Sequence, residues 1–312
     1  MRAALRRLAD SCFALVPPVL VRACLKSFAM HPELAGRCGF DVVPRVFYSP
    51  VPLPEEIDRA RLEQARELPG IDLRVSSALA LLAELHRFAP ELAAVPRQRT
   101  ADCVLWLENG TYADFDAATL YAMLRHLKPR RYIEVGCGFS SRASSFALSR
   151  NAAEGAACQA DFVEPFPSEQ FLSLALPGPH HHRKVQEMPL DFFRQLAEGD
   201  VLFIDTSHVL KTQSDVEYEL LRILPVLAPG VWVHIHDLFS PYDYPAEWVL
   251  GTPRAGNNEQ YAVECLLSGG RAWQVELPVH LLWREHRAQL DRLCADTIHR
   301  PAAFWMRKIS TP

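Results

Sequence analysis

The sequence predicts an α/β fold built on a mostly parallel sheet with helices on both faces. Three observations predict it. From about residue 115 onward, short apolar runs of strand length alternate with segments of helical periodicity. Three of those runs end in a carboxylate, at Glu164, Asp205 and Asp237. A fourth ends in the turn Gly136-Cys137-Gly138. Right-handed crossovers bring the carboxyl ends of parallel strands to one edge, and ligands of open α/β sheets bind there.

The elements follow in order. Residues 1–115 read as a mainly helical accessory region, punctuated by Pro17, Pro18, Pro32, Pro44, Pro50, Pro52 and Pro54. Helical spacing recurs at Leu62, Ala65 and Leu68, and again from Ser76 to Phe88. Leu120, Met123, Leu124 and Leu127 mark a helix that Pro129 stops. "RYIEVG" is the first strand, followed by a helix from about Ser140 to Arg150. "ADFVEP" is the second strand, with a helix near Ser168 to Leu176 after it. "HRKVQEM" is expected to be the third, before a short helix from Pro189 to Ala197. "DVLFID" is the fourth, "SDVEYELLRILPVL" a helix, and "GVWVHIHD" the fifth strand. A helix in "NNEQYAVECLL" precedes an expected final hairpin, "AWQVELPVHLLW". The expected division is 1–115, a catalytic domain at 116–285, and a helical tail at 286–312.

Composition narrows the function. The 312 residues are 49% hydrophobic and 22% charged, with a formal net charge of −4. That balance is ordinary for a globular protein and gives no reason to expect nucleic acid as a partner. The eight cysteines form no CxxC pair, so neither a disulfide framework nor a zinc site is expected. Free thiols suit a reducing, cytoplasmic setting. The basic, then apolar start "MRAALRRLADSCFALVPPVLVRACLKSF" is interrupted by Asp10, Pro17-Pro18 and Arg22. It is expected to be an amphipathic segment packed on the protein, with membrane-surface contact as the lesser alternative; no transmembrane segment is expected.

The glycine turn carries the first chemistry. A strand, a Gly136-Cys137-Gly138 turn and a helix opening at Ser140-Ser141 let a ligand approach backbone N–H groups. The dinucleotide fingerprint wants a third Gly or Ala where this chain has Ser141. Glu134, two residues before the first glycine, repels a pyrophosphate and attracts an ammonium. S-adenosylmethionine offers an amine and no phosphate. Its amine suits Glu134, its carboxylate suits backbone donors near Ser140 and Ser141, and its ribose hydroxyls suit Glu164, 26 residues after Gly138. The adenine is expected near Gln186-Glu187.

At these residues "YIEVGCGFSS" resembles the first motif of class I S-adenosylmethionine-dependent methyltransferases. "FVEP", the long block from "VLFIDTSHVLKT" through "HIHDLFSPYDYPAEWV", and "NNEQY" are similar to a bacterial group within methyltransferase family 24. The likeness runs from about Asp116 to Trp283, a little over half the chain. It implies a Rossmann-like three-layer α/β/α fold with a mostly parallel seven-stranded sheet, and methyl transfer, without a defined substrate.

Asp205, Ser207 and His208 lie at one strand end, and His234, His236 and Asp237 at the next. Asp205, which also borders the cofactor edge, His208, His236 and Asp237 are the candidates for acceptor chemistry. His208 is the first choice as general base, because imidazole takes a proton near neutral pH. His234 reads as a core histidine. Asp205 and Asp237 also match the places where catechol O-methyltransferase-like enzymes put two magnesium-binding acids. A divalent ion there would be completed by His208, His236 or Asn258, because Leu238 stands where those enzymes carry an oxygen ligand. A histidine ligand suits manganese, iron or zinc better than magnesium.

Three further features are read more plainly. The run His180-His181-His182 is expected to be a solvated loop, Lys211 a surface charge, and Asn257 or Asn258 a helix cap. "SPYDYP" is a candidate wall of the acceptor pocket. The leading expectation is an S-adenosylmethionine-dependent O-methyltransferase of a small-molecule or glycan-like acceptor, with homo-oligomerisation left open. A nicotinamide-dependent oxidoreductase and a non-catalytic scaffold on the same fold are the alternatives.

Overall fold

The computed structural model describes residues 16–42, 46, 49, 51–100, 103–251 and 256–310. The chain divides into two compact units, Met1–Ile57 and Asp58–Pro312. This boundary falls well before the expected one at 115/116, because the segment from Val75 onward shares the core of the larger unit. In the first unit the described helices are Pro18–Met30 and Pro32–Arg37. Residues 1–15 of the expected amphipathic start lie outside the described residues.

In the second unit the stretch around Leu62 to Leu68 gives only one helical turn, Arg59–Leu62. Helix α1, Val75–Leu85, buries Ala78, Leu82 and Leu85, which are spaced by four and three along one face. Helix α2, Asp114–Leu127, ends at Lys128 in the left-handed conformation, one residue before Pro129. Helix α3, Ser140–Ala153, follows the glycine turn.

The sheet has seven strands in the order β3-β2-β1-β4-β5-β7-β6. They are β1 Arg131–Val135, β2 Gln159–Val163, β3 His180–His181, β4 Val201–Ile204, β5 Trp232–Ile235, β6 Trp273–Pro278 and β7 Phe304–Lys308. The first five are parallel, and β7 runs antiparallel between β5 and β6. The order reverses at β1/β4, so the crevice opens where Gly136 and Asp205 emerge. Helix α4 starts at Asp215–Tyr218 and passes through a π-helical turn, Glu219–Ile223, into Leu224–Val226. Helix α5 is Glu259–Gly269.

Strand alternation splits the core into two layers. Tyr132, Phe162 and Phe203 pack with Phe115, Tyr121 and Ala147 of α2 and α3. Ile133, Val135, Leu202 and Ile204 pack with Val216, Ile223 and Val263 of α4 and α5. Both sheet faces are therefore covered, as the predicted three-layer fold requires.

Four sequence expectations change. The third strand is His180–His181 rather than residues 182–188, where Val185–Glu187 forms a 3-10 turn. The histidine run is thus in part an edge strand and not a solvated loop. A side chain at Gly178 would place its Cβ 1.8 Å from the Ala160 carbonyl oxygen, so glycine allows this approach to β2. The final hairpin does not form. Pro278 ends β6, and Val279–Glu285 is helical. The partner of β6 is β7, inside the tail expected to be helical. A buried five-residue run such as "FWMRK" carries no period that separates helix from strand, and its pairing with β5 and β6 decides.

Candidate active site: two cavities and an acid–histidine wall

The glycine turn is dictated by what it touches. Gly136 has φ +78°, and a Cβ there would lie 1.7 Å from the Asp205 carbonyl oxygen. Only glycine lets the β1 end pass the β4 end this closely. Around Gly138 the space is open.

Glu134 takes a different role from the one expected. Alternation puts it on the α3 side of β1, between Phe162 and Phe203, with no solvent exposure. Its Oε1 accepts hydrogen bonds from the hydroxyls of Ser140 (2.8 Å) and Ser141 (2.6 Å). Its Oε2 accepts from Tyr132 (2.8 Å) and Ser144 (2.7 Å). A carboxylate has about four acceptor positions, and here all are used. Burial raises its pKa, while the four hydroxyls pull the other way. Glu134, Ser140 and Ser141 therefore lock the turn to the first turn of α3 and do not line the cavity. The Glu134 carboxylate faces the core, whereas the expectation turned it toward a ligand ammonium.

Glu164 stands where a bidentate acceptor was expected. One oxygen accepts from the Cys137 N–H at 3.0 Å and the other from the Phe166 N–H at 2.6 Å. It lines a cavity of about 530 Å³ with Gly136, Phe166, Gln186, Asp205 and Lys211. Lys211 thus faces a cavity and is not merely a surface charge. The ring of Phe166 is 79% exposed, an open aromatic surface beside Glu164.

The strand ends beyond this cavity hold an alternating chain of acids and histidines. His208 Nε2 lies 3.2 Å from Asp205 Oδ1 and 3.3 Å from Asp237 Oδ2, and its Nδ1 lies 3.0 Å from Glu259 Oε2. His236 Nδ1 lies 3.4 Å from both Asp205 Oδ1 and Asp237 Oδ1. Its Nε2 lies 3.3 Å from Asp116 Oδ2. Asp116 is itself fixed by the N–H groups of Ala302 (3.0 Å) and Ala303 (2.8 Å). Tyr112 covers His236 at a ring separation of 4.7 Å.

This arrangement sets the charges. Burial lowers the pKa of both histidines, but the facing carboxylates outweigh it and raise both well above the usual value. Burial likewise raises Asp205, and His236 and His208 outweigh it, so Asp205 stays ionised. Burial raises Asp237, a residue held at φ +57°. His208, also at φ +57°, has carboxylates at both ring nitrogens and lines neither cavity. Carboxylates at both ring nitrogens favour its protonated form, which speaks against the expected role of general base. His234 is the core histidine expected: it stacks on Phe203, accepts or donates to the Tyr112 hydroxyl at 3.1 Å, and burial lowers its pKa.

A second cavity, about 170 Å³, lies on the far side of this chain. Asp116, His236, Asp237, Phe239, Trp248 and Arg300 are among its walls. From "SPYDYP" only Pro245 reaches it; Tyr242 and Tyr244 are buried, and the Tyr244 hydroxyl accepts from the Gln260 N–H. Asp205, His208 and Asp237 bring ligand atoms within 4.8 Å of one another, a spacing able to hold a metal ion. Asn258 does not join them. Its Oδ1 accepts from the Leu210 N–H at 2.6 Å, and it makes no side-chain cap to α5. Sequence reading missed Asp116, because its partners are 120 and 186 residues away. Glu259 was missed for the same reason, since its partner His208 is 51 residues away. The one available signal was an acid in an otherwise apolar helical face.

Residues 133–238 match the model of a methyltransferase domain family. An uncharacterized protein of Archaeoglobus fulgidus is 27% identical over 166 residues, covering 50% of this chain and 74% of its own. The structure is similar to that of the O-methyltransferase TomG from Streptomyces achromogenes, involved in tomaymycin synthesis and solved with S-adenosylmethionine. That match has 16% identity, covers 75% of this chain and 89% of the other, and has a TM-score of 0.38. A TDP-rhamnose 3'-O-methyltransferase of calicheamicin biosynthesis matches at 14% identity and TM-score 0.41, over 78% and 99% of the two chains.

Proposed function

We propose, for a chain whose residues 133–238 match a methyltransferase domain family, S-adenosylmethionine-dependent methyl transfer to an oxygen of a small-molecule or glycan-like acceptor. One observation carries the reading. The wall of Asp205, His208, His236 and Asp237 separates two cavities, with Gly136 and Glu164 on one side and Asp237 and His236 on the other. Asp205 of the first cavity lies 3.4 Å from His236 of the second, so the two cavities adjoin, and donor and acceptor react in direct contact at their shared edge.

S-adenosylmethionine supplies a methyl group on a sulfonium and leaves as S-adenosylhomocysteine. The residues of the larger cavity fit it: Glu164 can accept from two ribose hydroxyls, and Gly136 and Gly138 leave room at the strand end. In the smaller cavity Asp237 faces the acceptor and takes the hydroxyl proton as the oxygen–methyl bond forms. Its raised pKa suits that task, since a carboxylate with an ordinary pKa is a weak base at neutral pH. His236 and His208 hold its two oxygens and carry the compensating positive charge. Alignment then supplies most of the remaining rate.

A second reading adds a divalent ion held by Asp205, His208 and Asp237. It is favoured by Glu259, which fixes His208 Nδ1 from behind as metal-ligating histidines are commonly fixed. The ion would lower the pKa of acceptor hydroxyls. An imidazole among the donors favours manganese, iron or zinc.

Calorimetric titration with S-adenosylhomocysteine tests the donor site; no heat at millimolar ligand refutes it. Activity is then sought by supplying labelled methyl donor to cell extract with and without the protein. Once an acceptor is found, loss of turnover on chelation and its return with manganese select the metal reading. Chelator-resistant turnover rejects it.

A further inference from the structure

We infer that the helix Pro18–Met30 lies on an anionic lipid surface. The helix has 13 residues, and none of them is buried. Its apolar side chains are not scattered. Leu20, Val21, Cys24, Leu25 and Phe28 recur at the spacing of one helical face. Arg22 and Lys26, four apart, flank that stripe, and the helix contains no acid. Seven of the fifteen exposed large apolar side chains among the described residues fall between Val16 and Phe40. On the stripe they include Leu20 at 55% and Leu25 at 49% exposed, while Val19 and Met30 are exposed on the side of Lys26. A clustered apolar surface of this kind marks an interaction face.

Charge selects the occupant. Residues 1–30 hold five basic side chains and one acid, whereas the whole chain carries a net charge of −4. The apolar helix therefore belongs to a basic stretch of a chain whose net charge is negative. An anionic bilayer offers both apolar depth for the stripe and negative headgroups for Arg22 and Lys26. A second copy of this chain would set like charges against each other. No described helix is long and apolar enough to cross a membrane, so the helix lies in the interface plane and does not span. Pro17 and Pro18 open the helix and free its first turn from upstream helical continuation.

The test is co-sedimentation of the full chain with vesicles. Binding is expected with phosphatidylglycerol-containing vesicles, weak with pure phosphatidylcholine, and reduced by salt. Replacing both basic residues (Arg22→Gln with Lys26→Gln) should lower the partition coefficient roughly 30-fold. Leu25→Glu with Phe28→Glu should abolish binding while leaving affinity for S-adenosylhomocysteine unchanged, which shows that the fold survives. Absence of binding at every anionic content overturns the inference. So does equal binding to neutral and anionic vesicles. A third overturning result is that Leu25→Glu with Phe28→Glu converts a dimer to a monomer in sedimentation equilibrium without altering vesicle binding, since a second copy would then own the face.

Discussion

Glu134 offers the sharpest test, because two roles for it predict opposite results. If it binds the ammonium of S-adenosylmethionine, Glu134→Gln should cost affinity and little stability. The structure argues the reverse. Four hydroxyls, from Tyr132, Ser140, Ser141 and Ser144, converge on its carboxylate within 2.6–2.8 Å. Glutamine keeps the shape, and hydroxyls can turn to accept from its NH2 group. What is lost is the charge-assisted strength of the bonds, partly offset because an amide is cheaper to bury than an ion. The expected loss of stability is about 1–2 kcal/mol. Alanine is different. It leaves four buried donors without an acceptor, at ~1–3 kcal/mol each if none re-pairs. The three serines sit early in α3 and can bond back to helix carbonyls, but the Tyr132 hydroxyl is fully buried and cannot. Glu134→Ala should therefore lose roughly 3–5 kcal/mol. Urea unfolding measures the stabilities, and calorimetry with S-adenosylhomocysteine measures the affinity of the glutamine variant. The affinity should change less than about threefold, under ~0.7 kcal/mol. A loss beyond about tenfold with stability intact would show that the carboxylate reaches the ligand and would refute the anchoring role.

Three further outcomes are expected. Glu164→Gln removes a charged acceptor at the cavity wall and should weaken S-adenosylhomocysteine by about 1.5–3 kcal/mol, roughly 10- to 150-fold by calorimetry; an unchanged affinity places the ribose elsewhere. Gly136→Ala forces a side chain into the Asp205 carbonyl at positive φ and should cost more than ~2 kcal/mol in urea unfolding and abolish ligand binding. His236 has a folded-state pKa raised above its unfolded value, so its stabilisation is full below about pH 6.5 and is lost as pH rises through the folded pKa. In chelator-treated protein the stability gap between wild type and His236→Gln should thus be widest near pH 6 and narrow at higher pH, by at most about 1.4 kcal/mol per pH unit; a gap that widens with pH reverses the assigned sign.

Local sequence determined the parts governed by neighbours in the chain. Alternating apolar runs, Pro129 as a stop and the Gly136-Gly138 turn needed only the periodicity and backbone freedom of a few residues. The carboxyl-terminal acids Glu164, Asp205 and Asp237 were legible for the same reason, since a strand end is a local event and parallel strands carry their ends to one edge. Tertiary structure decided whatever depends on a distant partner. Residues 304–308 became a strand because β5 and β6 flank them. Glu134 became an anchor because alternation turned it toward α3, where three serines wait. Asp116 and Glu259 joined the site only when folding brought them to His236 and His208, across 120 and 51 residues. The proton affinities followed from that convergence, for a histidine between carboxylates holds its proton more tightly. Residue type fixes what a side chain can do, but its charge and its partners are set by the field of groups that only the fold assembles.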